Sequence, residues 1–96
     1  MPLDKRLIEK RVDIHRIAQN HGVGSILVFG SAARGEMVDS SDVDFLIEVQ
    51  GPTTPWFPGG LVADLEALLG CRVDVVETQS LNQDIKELIL EEATAL

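Results

Sequence analysis

Basic residues are scarce in this chain of 96 residues: eight Lys and Arg stand against sixteen Asp and Glu, for a net charge of −8. That balance excludes the mode of nucleic-acid binding that grips phosphates along a basic stripe. Cysteine is nearly absent. The single Cys71 allows no internal disulfide, as expected in a reducing cytosol, and reads as a small buried hydrophobe. No apolar run approaches the roughly 20 residues that cross a bilayer. The opening MPLDKRLIEK lacks the apolar core of a signal peptide. The expectation is a cytoplasmic protein with no membrane attachment. Length is limited too, which suits one domain over residues 1–96 with a modest core. There is room for a site, but little for a separate substrate-binding domain.

The few cations are unevenly spread. Five of the eight fall early, at Lys5, Arg6, Lys10, Arg11 and Arg16, whereas the tail carries Asp84, Glu87, Glu91 and Glu92. Two solvated helix faces explain this; so does a docking surface for a partner of matching charge.

Periodicity divides the chain. Residues 4–20 space Leu7, Ile8, Val12, Ile14, His15 and Ala18 as a helix, with His15 at its core or boundary. Asn20-His21-Gly22 is a stop, with Gly22 suited to a left-handed cap. Residues 25–29 form a short apolar run rich in β-formers, a buried strand. Ser31 opens a helical turn closed by Gly35. VDFLIEV, 43–49, is a second strand. QGPTTPWFPGG holds three prolines and three glycines and reads as a loop. Its Trp56 and Phe57 either contact a partner or fold back on the core. LVADLEALL, 61–69, is a helix stopped by Gly70, and RVDVVE, 72–77, a third strand. Ser80 and Gln83 have the spacing of a capping box for a last helix over 81–94. Leu81, Ile85, Leu88, Ile89 and Glu92 trace one face of it. The order is α-β-α-β-α-β-α. It predicts an α+β domain, close to α/β in character, with a small mixed sheet and helices packed against it.

Asp42 and Asp44 are the feature a purely structural chain has least reason to keep. Side chains alternate along a strand, so the two share a face if the strand starts at residue 41 or 42. Like charges a few ångströms apart repel, and either one binds a proton or a cation sits between them. Hard oxygen ligands suit Mg²⁺ or Mn²⁺. A bare D-x-D is also satisfied by a solvated pair where a strand begins, capped through Ser40 and Ser41. Asp74 adds a third acid between Val73 and Val75, and points away from them. If the third strand neighbours the second, three carboxylates could hold two ions at the spacing of about 3.5–4 Å used in two-metal phosphoryl chemistry. Otherwise Asp74 marks the wet face of an edge strand.

Gly30 permits a sharp turn and close approach to a ligand. Ser31 begins a turn whose N–H groups favour an anion, and Arg34, one turn on, adds a charge. No G-K-[ST] follows, so this is not a P-loop.

Gly30-Ser31, ten residues, then Asp42-Val43-Asp44 resembles the G-S-x10-D-x-D signature of nucleotidyltransferases of the DNA polymerase β superfamily. The string GSAARGEMVDSSDVDFLIEV resembles the minimal branch, whose members are stand-alone domains of about this length. The likeness extends over nearly the whole chain. It implies the nucleotidyltransferase fold, with Asp42, Asp44 and Asp74 as ligands of two Mg²⁺ ions. Asp74 would also accept the proton of the attacking hydroxyl. Gly30 and Ser31, supported by Arg34, would hold the phosphates of ATP. Members of this branch are typically antitoxins paired with a HEPN-domain ribonuclease toxin. The resemblance therefore implies AMP transfer to a tyrosine hydroxyl of that toxin (AMPylation). Neutralisation by binding alone, and transfer to another acceptor, are the competing readings. A nucleic-acid acceptor runs against the net charge.

Overall fold

The computed structural model describes residues 4–36 and 42–96. Four strands form one mixed sheet in the order β3-β2-β1-β4, where β1 is Val23–Phe29, β2 Val43–Val49, β3 Val73–Glu77 and β4 Thr94–Ala95. β1 runs antiparallel to β2 and β4; β2 and β3 are parallel. This is the small mixed sheet that the element order predicts. The α-helices among the described residues are α1 (Lys5–Glu9), α2 (Arg11–Asn20), α3 (Gly59–Leu69) and α4 (Gln83–Glu92).

One sheet face carries the core. Ile26 and Val28 of β1, Val43, Phe45 and Ile47 of β2 and Val73 of β3 meet Leu7, Ile14 and Ala18 of α1 and α2 and Leu61 and Leu65 of α3, all buried. Period-two alternation places these residues on one side. Their neighbours Asp44, Leu46, Glu48 and Asp74 fall on the other. α4 starts beyond β3 at one edge, packs on β1 and delivers β4 to the other edge, so it crosses that second face. Leu46 is buried there, outside the main cluster.

Several local expectations are corrected. The first helix is broken at Lys10, whose φ of −107° and ψ of 12° leave the helical region. The Lys10 ammonium donates to the Leu68 carbonyl at 2.8 Å, a tertiary tie across 58 residues that helical spacing cannot reveal. Val12 is exposed, and so is His15, whose Nε2 lies 3.0 Å from the Leu96 carbonyl rather than in the core. β1 starts two residues earlier than expected, at Val23. α3 takes in Gly59 and Gly60, the last two of the three glycines in the proline-rich loop, and Gly70 closes it in the left-handed conformation. The last helix lacks the Ser80 capping box. Asn82 is its cap, accepting from the Ile85 N–H at 3.0 Å, while the Ser80 hydroxyl donates to the Glu77 carbonyl. That helix ends at Glu92 because residues 94–95 pair with β1 instead. Its expected inner face is largely outside: Ile85 and Leu88 are exposed. The two loop aromatics part company, Trp56 standing in solvent and Phe57 packing on the core. Ser40 and Ser41, proposed to cap the start of β2, lie outside the described residues.

Candidate active site

The acids assemble through strand register. In the parallel β2–β3 ladder Asp44 is the partner of Asp74. Partners in register project to the same face, so both carboxylates leave the sheet on the side opposite Phe45 and Val73. β2 begins at Val43, so Asp42 stands just before the strand rather than within it. Asp42 is half-buried, as is Asp44, whereas Asp74 is exposed. The condition on Asp74 is therefore met: its strand neighbours that of Asp44.

Electrostatics confirm the crowding. Burial first, then the Asp74, Asp42 and Glu92 carboxylates, push the Asp44 carboxyl above its ordinary value of 3.8. No cation is among the groups acting on it. Such an arrangement favours either a proton or a metal ion.

The turn after β1 forms the other wall. Phe29 is the antiparallel partner of Asp44, which sets Gly30 beside the carboxylate. Gly30 has a φ of +76°, and a Cβ there would lie 2.5 Å from Asp44 Oδ2. Glycine is thus required twice, for backbone conformation and for space. Residues Gly30–Ala32 form a single 3-10 turn, and Gly35 follows at a φ of +71°. The N–H groups of Ala33, Arg34, Gly35 and Glu36 bond within this turn. Contact with an anion therefore falls to its first residues, Gly30 and Ser31, since Ala32 is buried. The Asp4 N–H donates to the Ala32 carbonyl at 3.0 Å, so the chain's start buttresses the turn. Nothing in the local sequence signals that tie.

Arg34 reaches the region but is already engaged. Its Nε donates to Glu36 at 2.9 Å and its Nη1 to Glu92 of α4. The helix-face reading assigns Glu92 to the packing surface; the structure turns it toward the acid site. Cys71 is half-buried against the core rather than fully buried. Burial is the main cause that raises its thiol above the ordinary value of 9.0, which keeps it a poor nucleophile. His21 lies apart, bonded to Asp64 at 2.7 Å.

Among the described residues no three His, Cys, Asp or Glu side chains form a ready-made metal cage. Asp44 and Asp74 stand side by side on neighbouring strands. The donor set itself, oxygen ligands crowded without a counter-charge, fits a hard divalent ion. Recesses of about 240 and 260 Å³ lie along α2 and the far end of β1, and neither includes an acid of this group.

A family model for the nucleotidyltransferase domain matches residues 10–96. The chain belongs to the nucleotidyltransferase domain family. Protein adenylyltransferase MntA of Thermococcus cleftensis is 39% identical to it over 87 residues, 88% of each chain. A solved structure assigned as a minimal nucleotidyltransferase superposes with a TM-score of 0.85 at 36% identity, covering 98% of this chain and 97% of that one. A chain in a toxin–antitoxin complex solved with AMP-PNP has a TM-score of 0.75 at 19% identity, covering 88% and 69%; that likeness speaks to fold alone. This nucleotidyltransferase domain thus carries its signature residues Gly30 and Ser31 in the turn after β1, Asp42 just before β2 and Asp44 within it. No helix among its described residues is long and apolar enough to cross a membrane.

Proposed function

We propose that this nucleotidyltransferase domain is the antitoxin of a two-protein module and transfers AMP from ATP to a tyrosine hydroxyl of a HEPN ribonuclease toxin. The observation that carries the reading is the Asp44–Asp74 register, with Asp42 and Gly30 alongside. It brings together the carboxylates that such chemistry needs. Similarity over 88% of the chain to a protein adenylyltransferase supports the acceptor class. The chain holds no tyrosine, so a tyrosine acceptor must lie on another molecule. The cytosol, where ATP is abundant, is the setting this reading requires.

Asp42, Asp44 and Asp74 are the residues that would hold Mg²⁺, two ions by preference, with Mn²⁺ as a substitute. The metal, when bound, supplies the positive charge that lets a polyphosphate approach three carboxylates. Gly30 and Ser31 hold the terminal phosphates against the turn. Asp74, the most exposed of the three acids, would take the proton of the incoming hydroxyl. The bond from that oxygen to the α-phosphorus forms as the bond to pyrophosphate breaks. Fixed donors and carboxylates provide positioning, which is most of what such a transfer asks of a protein.

The test is a mass measurement. The chain is incubated with Mg-ATP and the toxin encoded beside it, and the toxin is weighed. The expected result is a gain of AMP units that Asp42→Asn and Asp44→Asn each abolish. Protection from the toxin by those variants, with no mass gain by the wild type, would establish neutralisation by binding instead.

A further inference from the structure

Arg34 and Glu92 lie 58 residues apart in sequence and meet beside the acids, Nη1 against Oε1. Three observations make this more than a surface contact. First, the guanidinium is divided between two carboxylates, Nε on Glu36 and Nη1 on Glu92. Second, the pair ties the end of α4 to the turn after β1, the same turn that sets Gly30 against Asp44. Third, Glu92 is the last residue of α4, and the last turn of that helix holds no basic residue. An acid at a helix C-terminus opposes the helix dipole. Pairing with Arg34 offsets that local cost.

We propose that Glu92 is a positioning residue that keeps Arg34 in reserve at the rim of the site, and that the triphosphate of an incoming nucleotide takes the guanidinium from it. This rests on the nucleotidyltransferase reading of the same site. Both partners are solvent-accessible, at 47% and 38% of their side-chain surface. An exposed pair of this kind is weak and is readily exchanged. A phosphate offers the fork of Arg34 a matching bidentate acceptor. The exchange also frees the C-terminal end of α4. That end leads directly into Thr94, which pairs with Val28 two residues before Gly30. Loading of the nucleotide is thereby coupled to the junction of α4 and β4.

The experiment is a double-mutant cycle on Mg-ATP affinity, measured by calorimetry without any acceptor protein. Arg34→Gln should weaken binding. Glu92→Gln should tighten it roughly two- to fivefold, because the competing carboxylate is gone. In the Arg34→Gln background Glu92→Gln should change nothing. Equal tightening in both backgrounds means that Glu92 acts only as a nearby negative charge, and overturns the proposal. An unchanged affinity for Glu92→Gln alone overturns it as well, while leaving the nucleotidyltransferase reading intact. A wild-type chain that fails to bind Mg-ATP removes both. Circular dichroism checks that each variant remains folded.

Discussion

Asp44 and Phe45 are neighbours in one strand and face opposite environments. Phe45 is wholly buried among aliphatic side chains of α1, α2 and α3. Asp44 looks out on a face crossed by one helix and shared with other acids. The contrast extends to the whole sheet. The Phe45 side is stabilised by apolar burial; the Asp44 side gathers like charges that the fold alone would not choose. A single period-two strand thus assigns stability to one side and chemistry to the other.

The comparison breaks most visibly at Phe45. Phe45→Ala removes a fully buried ring and should cost about 3–5 kcal/mol. Against a typical total of about 5–15 kcal/mol, that leaves the chain marginal or unfolded. Urea denaturation followed by circular dichroism reads the loss; a variant within about 1 kcal/mol of wild type would contradict the core assignment.

Asp44→Asn should do the opposite. Transfer activity should fall by roughly a hundredfold or more while the fold persists. The sign of the stability effect follows from the raised carboxyl. The folded chain holds the Asp44 proton more tightly than the unfolded chain does. Stability is therefore lost as pH climbs from 3.8 through the raised value. With metal absent, Asn should melt no lower than wild type at pH 7, and any advantage should vanish below pH 3.8. Adding Mg²⁺ should raise the melting temperature of the wild type and do less for the variant. A metal-free Asn variant that melts well below wild type at pH 7 would sink this account.

Gly30→Ala tests the seam between the two faces. A φ of +76° costs an alanine about 1–2 kcal/mol. The methyl group would also press on Asp44 Oδ2, a flexible atom that can move. Activity should therefore drop more than stability. Equal and small losses of both would show that the close approach is incidental.

Leu88→Ser is the smallest change. Leu88 is 66% exposed on α4, and its loss should shift stability by no more than about 0.5 kcal/mol. A large destabilisation in thermal melts would mean that the second face is as firmly packed as the first.

Much of this was legible beforehand where the information is local. β2 runs over the expected residues 43–49, and α3 ends at the expected Gly70. The strand pattern VDFLIEV alone separates Phe45 from Asp44. Distant ties were not legible. Lys10 breaks the first helix by reaching Leu68, and Thr94–Ala95 leaves the last helix to join β1. Glu92 matches the helical face traced by Leu88 and Ile85, and periodicity alone therefore cannot tell a packing position from the partner of Arg34. Trp56 and Phe57 are adjacent and equally apolar, and only packing decides that Phe57 is the one covered.

The sequence by itself determined the alternation along each strand, the glycine turn after β1 and the ten-residue interval to Asp42, because each depends on backbone geometry within a few residues. The tertiary structure alone decided that β3 lies beside β2 in the register that pairs Asp74 with Asp44, and that α4 carries Glu92 to Arg34. Those meetings join segments far apart in the chain. Their free energy comes from packing the intervening elements, which no local pattern encodes.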